Sequence, residues 1–261
     1  MLKPFLFEFE DQSWFPNVIR EGMTDFLRFI FTKGKLYQPI IPLLQNALQG
    51  AGASRIVDLC SGSGGPIEQV SKLLVAQGVR IPIVVTDKFP NLPAYKLLHA
   101  KSSGIINYVS YPVDAMQVPA NIKGFRTIFS GFHHFGRCTA TAILNDAVNA
   151  KEGIAIFDGG DKNVLFILAI LLLQPVGFLL FTPFIKPFRW SRIVFTYLLP
   201  LIPFCTVWDG IVSTIRLHTK RELCVIAKST NSKHYRWQAG KVKNKLGMHI
   251  AYLIGYPVAQ Q

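Results

Sequence analysis

Half of the 261 residues are hydrophobic and only 16% are charged, and 28 Lys and Arg against 15 Asp and Glu leave a net charge of +13. That length suffices for one sizeable α/β domain with an insertion, while so low a charged fraction implies that part of the chain meets lipid or a partner. The charge favours anionic partners, and the apolar content tilts the choice from nucleic acid toward the anionic face of a bilayer. Cys60, Cys138, Cys205 and Cys224 are scattered, with no CxxC pair and no His at ligand spacing. They argue against a zinc site and a disulfide framework, with the reducing cytosol as the default compartment. The N-terminus turns acidic at Glu8 before a signal-peptide core can form, so no secretion signal is expected.

Residues 1–50 read as a helical cap. Trp14, Phe15, Val18 and Ile19 recur at helical spacing, Phe26, Leu27, Phe29 and Ile30 continue the apolar face, and Pro39 and Pro42 interrupt it. A β-prone run over 56–60 then ends in the glycine-rich stretch 61–65, followed by a helix over 66–76 with Pro66 in its first turn. A second strand over 81–86 is closed by Asp87, a third over 108–111 ends near Asp114, and a fourth over 126–130 leads into Gly131-Phe132-His133-His134-Phe135. A helix over 139–150 precedes a fifth strand over 153–157, ending at Asp158. Strands alternating with helices predict parallel βαβ units in an open, doubly wound sheet, with the loops after the strands along one ligand-binding edge. Residues 164–185 and 193–208 carry no charge and flank a basic aromatic turn containing Lys186, Arg189, Trp190 and Arg192. Two final strands, over 234–242 and 248–256, are expected to be antiparallel. The chain thus divides into a cap (1–50), a nucleotide-binding core (51–162), an apolar helical hairpin (163–208) and a C-terminal completion of the core (209–261).

The strongest site signal is Asp58-Leu-Cys60-Ser-Gly62-Ser-Gly64-Gly65 between a strand and a helix. Glycines there let the backbone approach a ligand, and the helix N-terminus offers free N–H groups to its polar end. Asp87, about 20 residues on at the next strand end, suits the two hydroxyls of a ribose. Asp114 adds a polar group on the same rim, or serves as a helix cap or turn residue. This run resembles motif I of the class I S-adenosylmethionine-dependent methyltransferases, with Cys60 in place of the first glycine of their Asp/Glu-x-Gly-x-Gly-x-Gly.

The resemblance covers residues 50–160 well and 209–256 loosely. It implies a mostly parallel seven-stranded sheet with helices on both faces, S-adenosylmethionine as cofactor, and methyl transfer as the activity. It makes Asp87 the ribose acid and sets Asp114 and Ala115 against the adenine. Ser130 to His134 then face the reactive methyl, so the cofactor-binding set is Asp58, Cys60, Gly62, Gly64, Asp87, Asp114, Ala115, Ser130 and Phe132. A NAD-dependent oxidoreductase competes for the same geometry but wants a third glycine where Ile67 stands.

A hydroxyl or amine acceptor needs a base, for which His133 and His134 are the candidates; the alternative is that they only shape the pocket. Trp14, Arg20 and Tyr37 of the cap could close over the cofactor, with Arg20 or Tyr37 meeting its carboxylate, or could be packing alone. No metal is expected. As helices the two uncharged runs measure about 33 Å and about 24 Å against a hydrocarbon core of about 30 Å. A fully crossing hairpin would put its basic turn opposite the catalytic domain, against the positive-inside tendency. A hairpin in the cytoplasmic interface, with Trp190 and the cations at headgroup level, conflicts less; burial against the sheet or a partner is the alternative. The tail cations Lys220, Arg221, Lys228, Lys233, Arg236, Lys241, Lys243 and Lys245 would add attraction to an anionic surface or form a solvated face. The expected protein is therefore a membrane-associated methyltransferase with its catalytic domain in the cytoplasm. Its acceptor would be an apolar or lipid-like small molecule. A non-catalytic cofactor-binding membrane scaffold and an RNA methyltransferase are the alternatives, and the oligomeric state is left open.

Overall fold

The computed structural model describes residues 6–230, 232 and 234–258; residues 1–5 and Lys233, named above, lie outside them. Seven strands form one sheet: β1 (Ile56–Leu59), β2 (Ile83–Val85), β3 (Ile106–Tyr108), β4 (Phe125–Phe129), β5 (Ile154–Gly159), β6 (Tyr235–Lys243) and β7 (His249–Pro257). Their order is β3-β2-β1-β4-β5-β7-β6. The first five are mutually parallel, while β7 runs antiparallel to both β5 and β6. The expected doubly wound, mostly parallel sheet is therefore present, with its antiparallel close. β1 and β4 are buried at every position, as strands covered on both faces are, and their polar residues are paired, Thr127 donating to Asp58 and Arg126 meeting Asp146.

One face of the sheet is covered by α2 (Ile41–Gly50), α3 (Gly65–Ala76) and α4 (Leu92–Lys101), through Leu44, Val70, Leu74, Tyr95 and Leu98. The other is covered by α5 (Arg137–Asn149) and α9 (Lys220–Lys228), through Ile143, Leu144, Leu223 and Ile226. The long cap helix α1 (Asn17–Gly34) packs on α3 so closely that a Cβ added at Gly65 would stand 2.5 Å from the Cα of Arg28. No side-chain rotation relieves a clash with backbone, so the contact requires glycine.

The apolar insertion consists of α6 (Val164–Phe181), a short helix α7 (Trp190–Ile193) continued by a π-helical turn, and α8 (Leu201–Arg216). The second run does not form one straight helix: it bends by 78° at the break before α8. α8 also extends past Trp208 to Arg216, since Asp209 accepts from the Phe9 amide and Arg216 pairs with Glu8 inside the protein instead of ending the helix in water. Phe178, Ile185 and Ile202 of the insertion share an apolar cluster with Ile19, Met23 and Phe26 of α1, and Phe178 stacks on Phe26 at 3.6 Å between ring centroids.

Three sequence expectations need correction. The third strand lies at 106–108, before the expected 108–111, because this short edge strand is only partly buried and its apolar signal is blurred. Helices α4 and α9 were not foreseen. The basic turn is not a row of headgroup-level cations: Lys186 and Trp190 are exposed, but Arg192 is buried against Asp25, and Arg189 pairs with Glu21.

Candidate functional site

A cleft of about 330 Å³ opens at the carboxyl ends of β1, β2 and β4, within the usual range for small-molecule sites. Its floor is the turn after β1, in which Cys60, Gly62 and Gly64 all take positive φ, 55°, 54° and 73°. Glycine adopts this freely, whereas Cys60 and Ser130 (φ 47°), which both line the cleft, hold costly left-handed conformations as such residues do at functional sites. At Gly64 a Cβ would also meet Leu98 Cδ1 at 2.4 Å.

Asp87 lies on this floor. Its Oδ2 accepts a hydrogen bond from the Gly62 amide at 2.7 Å and its Oδ1 one from the Phe89 amide at 2.8 Å. The two bonds fix the carboxylate at the end of β2 and leave its other lone pairs for a ligand. Burial raises its pKa, against the lowering effect of those amides. Asp114 and Ala115 line the rim beside it, where the Val113 amide donates to the Asp87 carbonyl at 2.9 Å; Asp114 Oδ1 accepts from the Met116 amide at 2.9 Å and so turns the loop.

The other expected cofactor residues divide between cleft and support. Cys60, Gly62 and Ser130 line the cleft. Asp58 is buried beneath the turn, where its two oxygens accept from Thr127 Oγ1 at 2.6 Å and Ser61 Oγ at 2.7 Å. Burial pushes its pKa up to about 7 despite those bonds. Gly64 and Phe132 stand behind the lining, Phe132 fully buried.

Of the cap residues, Arg20 lines the cleft, but its guanidinium is spent on the carbonyls of Glu10 (3.0 Å) and Gln12 (2.6 Å) and lies over the Phe89 ring at 4.0 Å. The Tyr37 hydroxyl bonds Ser130 Oγ instead of reaching the cleft, and Trp14 is exposed.

The histidine pair after β4 sits in a carboxylate cage that the sequence reading missed. His133 is buried, with Nδ1 3.4 Å from Asp158 Oδ1. His134, on the cleft wall, has Nδ1 3.0 Å from Asp11 and Nε2 3.3 Å from Glu10. Burial draws the His134 pKa down, but Glu8, Asp11 and Glu10 outweigh it and the net shift is well upward. The same carboxylates therefore favour the protonated form of the ring. Burial pushes Glu10 up to about 8 and Asp209 up to about 7, Glu10 despite the His134 charge. Asp209 of α8 accepts from the Phe9 and Glu10 amides at 2.7 and 3.0 Å, so the insertion holds down the N-terminal strap that walls the cleft.

A second unforeseen network ties the glycine turn to the insertion. Ser63 Oγ donates to Asp25 Oδ1 at 2.9 Å, Asn91 Nδ2 donates to Ser63 Oγ at 2.8 Å, and Arg192 donates to the other Asp25 oxygen. The signal was available: a lone Asp in α1 beside Met23 and Phe26, and a lone Asp209 in an apolar helix, had to find cations or amides once buried.

Neither a family model nor a curated protein sequence matches the chain. Solved structures similar to it include an O-methyltransferase family protein from Burkholderia thailandensis, 14% identical, with a TM-score of 0.47 over 90% of this chain and 60% of that one. A second is a SAM-dependent methyltransferase from Aquifex aeolicus, 13% identical, TM-score 0.46, covering 84% of this chain and 90% of that one. A third is human N-acetylserotonin methyltransferase in complex with SAM, 11% identical, TM-score 0.49, covering 92% of this chain and 56% of that one.

Proposed function

We propose that the chain is an S-adenosylmethionine-dependent methyltransferase that works on a membrane surface, with an apolar or lipid-like small molecule as acceptor. The observation that carries the cofactor assignment is the carboxylate of Asp87, fixed by two amides on the floor of a glycine-turn cleft at the end of β2. A ribose diol matches its remaining lone pairs, small Ala115 beside Asp114 leaves room for a flat base, and the Ser61-Gly62-Ser63 turn accepts the polar amino-acid end. A dinucleotide is disfavoured because Ile67, fully buried, occupies the place of a third glycine. When bound, the cofactor supplies a methyl group already activated by a positive sulfur. The protein's work is then to hold the acceptor in line with it, and proximity carries most of the rate.

The membrane reading rests on α6. Leu165, Leu172 and Leu173 are 78%, 65% and 68% exposed, and on the same insertion Trp190 and Leu198 are each 75% exposed. So much apolar surface exceeds what a soluble monomer usually exposes. Exposed Lys162 and Lys186 flank α6 and suit anionic headgroups. Both ends of α6 are held by the same body. Its start follows β5, where Asp161 accepts from the His249 amide, and its end is pinned by Phe178 on Phe26 and by buried Ile185. A crossing helix parts its ends by about 30 Å of hydrocarbon, so this arrangement supports a helix lying in one interface. Leu27 belongs both to the cleft wall and to the cluster α1 shares with the insertion, which links lipid face and active cleft.

The test is flotation with anionic vesicles, followed by transfer of labelled methyl to total lipid extract. Label in the organic phase supports the proposal. Cofactor binding with neither vesicle binding nor labelled lipid contradicts the membrane and acceptor assignments.

A further inference from the structure

We propose that Glu8, His133 and His134 bind one divalent transition-metal ion at the wall of the cleft. A ring nitrogen from each histidine and an oxygen of Glu8 lie within 4.8 Å of one another. His134 Nδ1 is 3.4 Å and His133 Nε2 is 4.0 Å from Glu8 Oε2. With metal–ligand distances of about 2.0–2.1 Å, tetrahedral ligand atoms stand about 3.4 Å apart, so the His134–Glu8 pair is already at ligand spacing, the His133–Glu8 pair closes by about 0.6 Å, and the two ring nitrogens, within 4.8 Å of each other, close by up to about 1.4 Å.

The surrounding groups suit a metal ion. A metal-bound imidazole turns its second nitrogen to a carboxylate or carbonyl. Here His133 turns Nδ1 to Asp158 at 3.4 Å and His134 turns Nε2 to Glu10 at 3.3 Å, while Asp11, 3.0 Å from His134 Nδ1, exchanges that contact for the ion. The fully buried Glu8 carboxylate is oriented by Arg216 on Oε1 at 2.9 Å and by Ser213 on Oε2 at 2.6 Å. Two imidazoles and one carboxylate suit borderline ions such as Zn²⁺, Co²⁺ or Fe²⁺ and not the oxygen-loving Mg²⁺ or Ca²⁺. Three protein ligands leave a fourth position, and His134, Glu10 and Asp11 line the cleft from which it is reached.

The role of the ion, unlike the site itself, rests on the methyl-transfer reading. An acceptor hydroxyl beside the ion loses its proton to solvent water, its oxygen forms the new bond to the methyl carbon as the sulfur–methyl bond breaks, and the sulfur keeps the electron pair. Such activation needs no side-chain base.

Co²⁺ alone, titrated into the chelator-treated full chain without cofactor, tests the site independently of the reaction. One Co²⁺ per chain is expected, with the strong visible absorption of a four-coordinate nitrogen–oxygen site, displaceable by Zn²⁺. Glu8→Gln and His134→Gln should abolish stoichiometric binding, and Glu10→Gln should weaken it about 10–100-fold. X-ray absorption of the Zn²⁺-loaded wild type decides even if a variant fails to fold: imidazole scattering with no sulfur is expected. Sulfur ligation, weak non-stoichiometric binding, or binding unchanged in folded variants overturns the proposal.

Discussion

Replacing Arg192 by Met removes the cation that joins the insertion to the glycine turn. The Arg192 and Asp25 side chains are 2% and 0% exposed, and the guanidinium also donates to the carbonyls of Ile185 at 3.0 Å and Pro187 at 3.2 Å. Its loss strands a buried carboxylate, which costs about 3–5 kcal/mol. Arg189, with Nε 3.6 Å from Asp25, is close enough to compensate in part and sets the expectation at the lower end, about 3 kcal/mol. Urea unfolding in mild detergent should therefore show the midpoint falling by about 1 M at a slope of about 3 kcal/mol/M, with that slope unchanged. Since Asp25 also receives Ser63 and Asn91, the double variant Arg192→Met/Asp25→Asn should be more stable than the sum of the singles by about 1–3 kcal/mol. A single-variant loss below about 1 kcal/mol, or strictly additive singles, refutes the network.

Two further outcomes follow from the same geometry. Asp58, Glu10 and Asp209 have folded pKa values raised to about 7, 8 and 7 by burial, and the His134 pKa is raised by its carboxylates against its own burial. Raised groups stabilise the fold below their unfolded values and lose that contribution as pH rises through the folded ones. The unfolding temperature of the chelator-treated, metal-free protein should therefore fall between about pH 5 and about pH 9, and a flat or rising profile contradicts these assignments. Leu172→Lys and Leu173→Lys change exposed positions, so stability should move by less than about 0.5 kcal/mol while vesicle affinity drops about tenfold or more for each. Undiminished flotation removes α6 from the membrane contact.

The sheet was legible because β1, β4 and β5 are short, β-prone and mostly apolar segments with Gly or Asp at or just past their carboxyl ends, where the chain turns toward the cleft. Asp87 and the glycine turn were legible for the same local reason. α9 carried a readable start, the Thr219–Glu222 capping box, but its few apolar residues gave a short stripe. The carboxylate cage was not readable. Glu8, Asp158 and Asp209 come from an N-terminal strap, a strand end and a helix of the insertion, and only the folded topology joins them around two histidines. Arg192 misled for a related reason: a cation in a basic turn looks solvated until its partner, Asp25 in α1, is brought alongside.

Calorimetric titration of S-adenosylmethionine into the wild-type chain and into Asp87→Asn tests the central claim most directly. The amide leaves a donor where the carboxylate accepts from Gly62 or Phe89, and removes a charged acceptor worth about 1.5–3 kcal/mol. The account predicts saturable one-site binding to the wild type and an affinity about 10–100-fold weaker in the folded variant. Equal affinity in the two proteins, or no binding to the wild type, contradicts it.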